Sequence, residues 1–556
     1  MWGPLLYAAT LLLHQYLRLR HIPGPPSAGF SPWWLLRAVY SGSMHLKFYE
    51  AGQKYGSLVR VGPNDLVTSD PDLMKRMLGV RTKYTRSDWY NAMRLDPRND
   101  NVLSTRDDAV HTRLRSQMAG GYSGKEVVEL EAKIDESVLR LMSMIDTYAS
   151  QDKRFDFGLK AQYFTLDVIS DLAFGKPFGD LASDSDVYDY IHTTEQSMPN
   201  IVVAAVLPSL LHVLSWPLLR RLMPSENDAT GFGRLIRMAK EIAGERFGPS
   251  KKTRQDMLGS FVAHGLTQKE ASSEILMQIL AGSDTTATAI RATLLHLITN
   301  PRVLATLRAE IERFRPSWPV VKEAEARQMT YLQAVIKEGL RIFPPVVGQM
   351  SKEVPKGGDT FKGVYLPEGT RIGYGAWGIF RRGDVWGQDA DDFRPDRWLT
   401  ADAETLRSME ATLELVFGHG KWKCLGRNVA MMELQKIFVE LLRRFDLVLC
   451  DPTRPWKSLN YGIFLQSQYW LRAYKPRQKQ TLNSSPASCP PLSSASCLSA
   501  SCLFALKRRI RFNSRGCLIA VEKCDVHMGI ADVVEAHDSK GSLSVKKDHR
   551  IFWPSS

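Results

Sequence analysis

The sequence predicts a mainly α-helical fold with small β-sheets, organised as a single large domain. Apolar residues recur at helical spacing through most of the stretch from Asp70 to about Leu340. Shorter stretches on either side, such as "GSLVRVGPNDLVTSDP", alternate apolar and polar residues around Gly, Pro and Asn turn signals, as is typical of strands. We see no internal repeat. One α-rich unit with small sheets before and after the helical stretch is therefore expected.

Residues 1–21 are predicted to form a membrane anchor. An apolar run extends from Trp2 to about Leu13, which is shorter than the roughly 20 residues that comfortably cross a bilayer. A cleaved signal peptide and an interfacial helix are therefore alternatives. Arg18, Arg20 and His21 follow the run and no charged side chain precedes it, which favours an anchor with the body of the protein on the cytoplasmic side.

A Pro-rich hinge and entry segment is expected over residues 22–43, because the prolines of "IPGPP" cannot continue a helix. The main domain is expected over residues 44–475. Strands are predicted from about Met44 to Asp70, before the helical stretch. After that stretch we expect short strands and turns, one further helix, and a last strand pair that ends near Tyr474.

Residues 476–556 are rich in Ser, Pro and Cys and show no usable periodicity, so we expect a low-complexity, disordered extension. Five of the seven cysteines lie there, which leaves Cys424 and Cys450 in the body. Such sparing use argues against a disulfide framework and for a reducing, cytosol-facing body. Cys450 is expected to be a small buried hydrophobe.

The formal net charge of +14 could indicate a nucleic acid, an anionic membrane or an acidic protein as partner. The basic residues are spread along helical segments, and no zinc-finger or RNA-recognition signature is present. No nucleic-acid partner is therefore expected.

A polar step interrupts the otherwise apolar helix around "ILAGSDTTATA". Ala281 and Gly282 are followed by Asp284 and Thr285, where glycine costs about 1 kcal/mol against alanine and threonine can bend a helix. An acid and an alcohol beside small residues indicate a local opening that could admit a diatomic ligand and its protons. The alternative is a helix that packs small residues against a neighbour.

Two further motifs contain charged residues. "KEGLRIFPP" places Glu338 and Arg341 three residues apart, on one helix face, where they can pair. "DDFRPDRWL" adds Arg397, and the three side chains could form a buried hydrogen-bonded network. The alternative is an ordinary surface pair of small energetic value.

The stretch "FGHGKWKCLG" surrounds Cys424 with glycines and lysines. It contains no CxxC pair and no histidines at zinc spacing, so a structural zinc site is excluded there. Glycine serves tight turns and close approach of the backbone to another object. A lone thiolate in a glycine-rich, cationic loop remains.

These four motifs, "AGSDTT", "EGLR", "FRPDRW" and "FGHGKWKCLG", occur in the order of a cytochrome P-450, and the sequence resembles that heme-thiolate family from about Pro23 to Tyr474. The resemblance implies that Cys424 is the axial ligand of the iron of heme b. Phe417 would pack near the sulfur, and Gly420 and Gly426 would let the loop and the next helix approach the porphyrin.

The resemblance also implies propionate contacts from His111, Arg115 and Lys352. In the family a basic residue usually stands two positions before the cysteine, where this chain has Trp422. Lys421 or Lys423 would then supply the charge.

The family further implies a monooxygenase that takes electrons from NADPH through a cytochrome reductase and oxidises a small hydrophobic substrate. Thr285, with Asp284 behind it, would supply protons to bound oxygen, while Glu338, Arg341 and Arg397 would be structural. The stretches "VGPNDLVTSDP" and "YGAWGIFRRGDVWGQDADDFRPDRWL" resemble the fungal pisatin demethylase-like group. That resemblance indicates secondary metabolite biosynthesis, or alternatively detoxification by O-demethylation. An endoplasmic reticulum location with the catalytic domain facing the cytosol is expected.

Two rival interpretations use the same heme-thiolate motifs. One is an isomerase or dehydratase that needs no external electrons, and the second is a heme sensor or carrier. The intact "SDTT" step argues against both, because neither needs a proton relay to bound dioxygen.

Overall fold

The computed structural model describes Thr10 and residues 13–214, 216, 218–219, 223–249 and 251–476. Most of the predicted anchor, residues 1–9, 11 and 12, lies outside the described residues. The predicted extension lies outside them as well, apart from residue 476.

The first half of the chain is mostly helical. Its α-helices are α1 (Trp33–Tyr40), α2 (Met44–Tyr55), α3 (Pro71–Leu78), α4 (Asp108–Tyr122), α5 (Leu130–Ser150), α6 (Phe157–Phe174), α7 (Asp180–Ser183), α8 (Tyr190–Val206), α9 (Pro208–Leu214), α10 (Gly231–Gly244) and α11 (Met257–Ala263). Short 3₁₀ helices cover Pro26–Gly29 and Asp88–Met93. The strand prediction was wrong over Met44–Tyr55, where Met44, Phe48 and Ala51 lie buried on one side of a helix.

The second half contains the longest helix and several very short ones. The α-helices are α12 (Gln268–Ile298), α13 (Pro301–Phe314), α14 (Glu323–Ala326), α15 (Thr330–Ile342), α16 (Ala376–Ile379), α17 (Gly383–Trp386), α18 (Arg397–Thr400), α19 (Ala403–Leu413) and α20 (Arg427–Arg444). The 3₁₀ helices are Glu414–Phe417 and Gly420–Trp422.

The strands are short and form four small sheets. They are β1 (Leu58–Arg60), β2 (Asp65–Thr68), β3 (Thr85–Arg86), β4 (Phe155–Asp156), β5 (Lys352–Glu353), β6 (Asp359–Phe361), β7 (Val364–Leu366), β8 (Arg371–Tyr374), β9 (Asp446–Leu449), β10 (Lys457–Asn460), β11 (Phe464–Ser467) and β12 (Trp470–Tyr474). The largest sheet has the order β1-β2-β8-β5-β3, with β2 and β8 parallel, and the others are β4-β12-β9, β10-β11 and β6-β7. The predicted fold class is confirmed.

Helix α12 forms the centre of the core. A capping box between Thr267 and Glu270 starts the helix by satisfying backbone N–H groups that have no partner within it. The helix then packs against α6, α10, α15 and α20. Because neighbours cover nearly all of its sides, residues on every side of α12 are buried.

The described part of the N-terminal segment packs onto the largest sheet. Leu19 and Ile22 are buried with Leu66 and Ile372, and Arg60 donates hydrogen bonds to the carbonyl of Tyr16 and its neighbour. Among the described residues no single helix has the length and hydropathy of a membrane span. The pair α8 and α9 reaches that threshold only jointly, across a bend of 105°.

Cys450 corrects one expectation. It follows β9 and is exposed rather than buried. Apolar neighbours in sequence suggested burial, but Cys450 lies just past the end of β9, where its N–H donates to the Trp470 carbonyl and its side chain is exposed.

Candidate active site

The loop before α20 presents Cys424. Its backbone N–H donates to the carbonyl of Phe417 at 2.7 Å, which closes the loop. Gly420 has φ of 57°, and a Cβ there would lie 2.3 Å from the carbonyl oxygen of Leu78. Glycine is therefore required because the loop approaches the end of α3 and adopts a left-handed conformation.

The Cys424 side chain faces an interior space. Part of its surface is accessible, while burial among its neighbours raises the pKa of its thiol. Backbone N–H groups of Gly426 and Arg427, and the charge of Arg115, act in the opposite direction and favour the thiolate. Within the described ranges, no group of three or more His, Cys, Asp or Glu side chains could hold a metal ion.

Residues around the sulfur connect this loop to α4 and α12. A Cβ on Gly426 would lie 3.9 Å from both the Cys424 sulfur and the Tyr122 ring, so glycine is not strictly required there. Burial raises the pKa of Tyr122, and nearby Gln278 of α12 partly offsets that rise. Arg427, which follows the cysteine in the chain, places its guanidinium 5.5 Å from the centre of the ring of Phe417, which precedes it.

The face of α12 that carries Gln278 also carries Ala281 and Thr285, which follow at helical spacings of three and four residues. Ala281 is exposed and Thr285 partly so, although Ser283 and Thr286 beside them are buried. The Thr285 hydroxyl donates to the Ala281 carbonyl at 2.8 Å. This face therefore borders the same region of the interior as the cysteine loop.

At Gly282 the structure supports the alternative interpretation, in which α12 packs a small residue against a neighbouring helix. A Cβ there would lie 2.7 Å from the Ile169 side chain of α6, so alanine would clash. The small residues of this step thus serve helix packing on one side, while Thr285 remains accessible on another.

Asp284 points elsewhere. Its carboxylate is buried and accepts hydrogen bonds from Tyr190 at the start of α8 and from Gln162 of α6. Burial raises the pKa of Asp284 to about 6, despite these donors and the charge of Arg291. The structure therefore does not bring the Asp284 carboxylate into a hydrogen bond with Thr285; its hydrogen bonds go to Tyr190 and Gln162, with Ser283 nearby.

Cationic side chains gather around Trp422. The Lys352 ammonium lies 3.2 Å from the centre of the indole ring, and the Arg86 guanidinium lies 4.4 Å from it. The His111 ring lies against the same indole with centroids 4.3 Å apart. Lys421, also near the ring, donates to the carboxylate of Asp108 at 2.6 Å.

This cluster has more basic than acidic side chains, because Asp108 is the one carboxylate named in it and pairs with Lys421. Burial lowers the pKa of Lys352 well below its usual value and lowers that of Arg86 to about 10. Burial and the surrounding cations lower the pKa of His111 to about 2, so its imidazole is neutral. Four buried atoms of the cluster have no hydrogen-bond partner among the described residues: Trp422 Nε1, Lys352 Nζ, Arg86 Nε and His111 Nδ1.

Glu338 is fully buried and organises the predicted network. Its Oε1 accepts from Arg341 Nη2 at 2.8 Å and from Arg397 Nε at 3.0 Å. Its Oε2 accepts from Arg341 Nε and from Trp398 Nε1, both at 2.9 Å. Burial alone would raise the pKa of Glu338, but the two guanidinium groups hold it below its usual value. The structure thus shows the three predicted side chains in direct contact.

Comparison with known proteins identifies the family. The cytochrome P450 family model matches residues 23–469. The chain belongs to the cytochrome P450 family. It is therefore a heme-thiolate monooxygenase by family, as predicted.

Several fungal P450 enzymes are similar to this chain. Cytochrome P450 monooxygenase ABA1 of Pyricularia oryzae is 41% identical over 485 residues, which cover 84% of this chain and 95% of that protein. Cytochrome P450 monooxygenase aba1 of Botryotinia fuckeliana is 39% identical over 466 residues, 82% of this chain and 91% of that one. Pisatin demethylase of Fusarium vanettenii is 29% identical over 471 residues, 83% of this chain and 89% of that one.

A solved structure shows the same fold. The heme domain of cytochrome P450DA superposes with a TM-score of 0.66 at 18% identity and covers 82% of this chain and 98% of that one. At this identity the similarity concerns the fold alone.

The residues present fit a heme. Heme b carries two carboxylates, and the cluster around Trp422 offers two buried cations and four unpaired polar atoms with too little negative charge of its own. A P450 heme also needs one thiolate ligand, which Cys424 can supply. The Cys424 side chain lies near Arg115: burial lowers the pKa of this arginine, and the charge of Cys424 raises it. Charge and ligand type therefore agree with the predicted cofactor.

Arg86 is the residue of this site that the sequence did not reveal. It lies in β3, outside every motif, and donates to the carbonyls of Val102 and Thr105 at 2.8 and 2.7 Å. Tyr190 and Gln162 were missed for the same reason, because each meets Asp284 only through long-range packing. Lys423 pairs with Glu414 at the surface rather than with the cluster.

Proposed function

We propose that this P450 uses dioxygen and electrons from NADPH, delivered by a cytochrome reductase, to hydroxylate or otherwise oxidise a small hydrophobic substrate in fungal secondary metabolism. The observation that carries the proposal is the interior region bordered by Cys424 and by the accessible Ala281–Thr285 side of α12. The oxygen-activating centre at Cys424 and the Thr285 hydroxyl, which would handle protons, would then lie close together and away from bulk water. Relatives from Pyricularia oryzae and Botryotinia fuckeliana, each named a cytochrome P450 monooxygenase, support the reaction class.

The cofactor would supply dioxygen activation when bound. Cys424 would hold its iron, and the charge of Arg115 and the N–H groups near the start of α20 would stabilise the thiolate. Arg86, Lys352 and the Trp422 N–H would bind its carboxylates.

Thr285 would relay protons. Its hydroxyl donates to the Ala281 carbonyl, so to deliver this proton it must leave that hydrogen bond and then be reprotonated by another group. Asp284, with a pKa near 6, would supply that proton once its carboxyl group turns away from Tyr190 and Gln162, which hold it in the structure.

Apolar side chains support a hydrophobic substrate. Trp89, Tyr90 and Met93 pack with Ala204 and Ala205 of α8 into one apolar cluster. By resemblance to the P450 family, the segment from Trp89 to Leu103 would line the substrate pocket, and three of its side chains lie in this cluster. The same resemblance assigns Val347 and Gly462 to the pocket, and the Val347 N–H donates to the Gly462 carbonyl at 2.9 Å.

Attachment to the endoplasmic reticulum membrane, with the catalytic domain in the cytosol, is part of this proposal. It is supported by the apolar N-terminal run followed by basic residues. Exposed Trp33, Tyr40, Trp216 and Leu218 add apolar surface that could contact lipid. Fractionation of full-length protein and of a variant lacking residues 1–21 would test it, and a full-length protein found entirely in the soluble fraction would contradict it.

Thr285→Ala tests the reaction itself. With NADPH and reductase, the variant should retain heme but release a larger share of the electrons as hydrogen peroxide, because the relay is lost. Thr299→Ala, at the end of the same helix, is the matched control and should behave as wild type. An unchanged peroxide yield from Thr285→Ala would contradict proton relay, and no NADPH consumption in the wild type would favour an isomerase or dehydratase.

A further inference from the structure

A cavity of about 230 Å³ lies between helix α2, the largest sheet and the chain that follows β8. It shares no lining residue with the Cys424 loop or with the cluster around Trp422. Its volume is below the roughly 300–1,000 Å³ of pockets for drug-sized ligands. The cavity is therefore distinct from the proposed reaction site, and its size suits a small molecule.

One part of the lining is apolar. It consists of Phe48 of α2 and of three valines in or next to β1 and β2, which are Val59, Val61 and Val67. All four side chains are buried in one hydrophobic cluster, so they lie together. The apolar part of a ligand would gain free energy by leaving water for this surface.

Gly52 leaves space on the α2 side of the cavity. A Cβ there would lie 3.8 Å from the Ser69 Oγ, which is an ordinary contact, so no neighbour requires glycine at this position. Glycine inside a helix costs about 1 kcal/mol against alanine. The missing side chain thus enlarges the cavity and does not serve a close approach of two segments.

Another part of the lining is cationic, because the consecutive residues Arg381 and Arg382 both face the cavity. The Arg381 side chain is 8% exposed, whereas that of Asp391, with which it pairs, is 75% exposed. The Arg382 side chain is 24% exposed, and its partner Asp384 is 62% exposed. Both guanidinium groups therefore lie deeper than the carboxylates that pair with them, and solvent screens those carboxylates.

Arg381 also keeps a donor without an acceptor. Its Nη2 donates to the Ile342 carbonyl at 2.7 Å and its Nε lies 3.1 Å from the Asp391 carboxylate. Its buried Nη1 has no hydrogen-bond partner among the described residues. Burial and the nearby charge of Arg341 lower the pKa of Arg381 to about 9. An anion beside this guanidinium would supply both an acceptor and a counter-charge.

We propose that this cavity binds a small amphiphilic carboxylate, a molecule with one carboxylate group and a short apolar body. The carboxylate accepts hydrogen bonds from Arg381 and Arg382, and the apolar body lies against Phe48 and the three valines. Arginine suits this role because its planar guanidinium presents a fork of N–H donors that matches a carboxylate. The site does not rest on the proposed oxidation, since none of its residues takes part in that reaction.

Isothermal titration calorimetry with octanoate tests the site on the heme-loaded full chain at neutral pH. The heme absorbance of the same mixtures shows whether octanoate also enters the reaction pocket. We expect saturable binding of octanoate with an unchanged heme spectrum. Octanol, which has the same chain length and no charge, should bind about tenfold more weakly, because it lacks the charge-assisted hydrogen bonds.

Two substitutions place the ligand in this cavity. Gly52→Leu fills the space beside α2 and should weaken octanoate binding about tenfold or more while heme content is kept. Gly244→Leu is the matched control, because it also replaces a helical glycine with room for a Cβ, 3.6 Å from Gln268 Nε2, and does not line the cavity; it should bind octanoate as wild type does. Arg382→Gln removes one charge and should weaken octanoate but not octanol, which keeps the test available if Gly52→Leu fails to fold.

The remaining outcomes would overturn the proposal. Absence of binding heat at millimolar octanoate would show that the cavity takes no such ligand. Equal affinities of the wild type, Gly52→Leu and Arg382→Gln would place octanoate elsewhere, and a shifted heme spectrum in that case would place it in the reaction pocket. Equal binding of octanol and octanoate would show that the two arginines do not recognise a carboxylate.

Discussion

Removal of the Glu338 charge should destabilise the protein strongly. Glu338→Gln keeps the side-chain size but replaces one carboxylate oxygen with an NH₂ group, which cannot accept the hydrogen bonds that this oxygen receives. If the amide nitrogen takes the place of Oε2, the bonds from Arg341 Nε and Trp398 Nε1 are lost. Two buried guanidinium groups, at 0% and 2% exposure, also lose their shared counter-charge.

The expected loss of stability depends on the hydrogen bonds that Arg341 and Arg397 keep in the Glu338→Gln variant. Breaking one partner of a buried ion pair costs about 3–5 kcal/mol. Arg341 still donates to the carbonyls of Phe380 and Ala390, and Arg397 still donates to that of Trp386. Because these carbonyls continue to solvate both guanidinium groups, we expect the lower end, about 3 kcal/mol.

Urea denaturation of the heme-loaded protein, followed by tryptophan fluorescence, measures this loss. Glu136→Gln is the matched control, because its ion pair with Arg140 is exposed and should contribute less than about 1 kcal/mol. A loss below about 1 kcal/mol for Glu338→Gln would show that the network stabilises little, and would refute the reasoning.

The pH dependence gives a second measurement of the same charge. The folded-state pKa of Glu338 lies below its usual value of 4.5, so its contribution to stability is present above pH 4.5 and is lost as pH falls through the folded-state pKa. Stability of Glu338→Gln should therefore depend less on pH below 4.5 than that of the wild type.

Three further predictions concern the ligand, the reductase and the C-terminal extension. Cys424→Ser should abolish the thiolate signature of the reduced carbon monoxide complex and all turnover, whereas Cys450→Ser, at an exposed position, should preserve both; a normal thiolate spectrum from Cys424→Ser would contradict the ligand assignment. We expect the reductase to dock by charge attraction at the basic cysteine loop, so replacing Lys421 and Lys423 by glutamate should slow heme reduction more than substrate binding, with a smaller difference at high salt. Stopped-flow reduction at two ionic strengths measures the effect, and a reduction rate that depends on neither charge nor salt would exclude docking at this loop. Truncation after Gln478 should leave heme content, thermal stability and turnover nearly unchanged, and a large loss of any of them would show that the extension packs on the catalytic domain.

The sequence by itself determined the fold class and much of the site. Helical periodicity is a local property, so α5 and α12 could be predicted from residues a few positions apart. The Cys424 loop and the Glu338, Arg341 and Arg397 motifs could be found because each is compact and lies in a recognisable order. The error over Met44–Tyr55 arose because a helix with few apolar positions next to a strand pair gives a weak signal.

Only the tertiary structure decided which side chains meet. Arg86 stands 336 positions before Trp422, yet the two are stacked, because β3 pairs with β5 beside the cysteine loop. The direction of Asp284 was likewise invisible, since neighbours on a helix point about 100° apart and the packing of α6 and α8 selects the partners. Contacts between segments distant in the chain depend on how helices pack, and no local pattern specifies that packing.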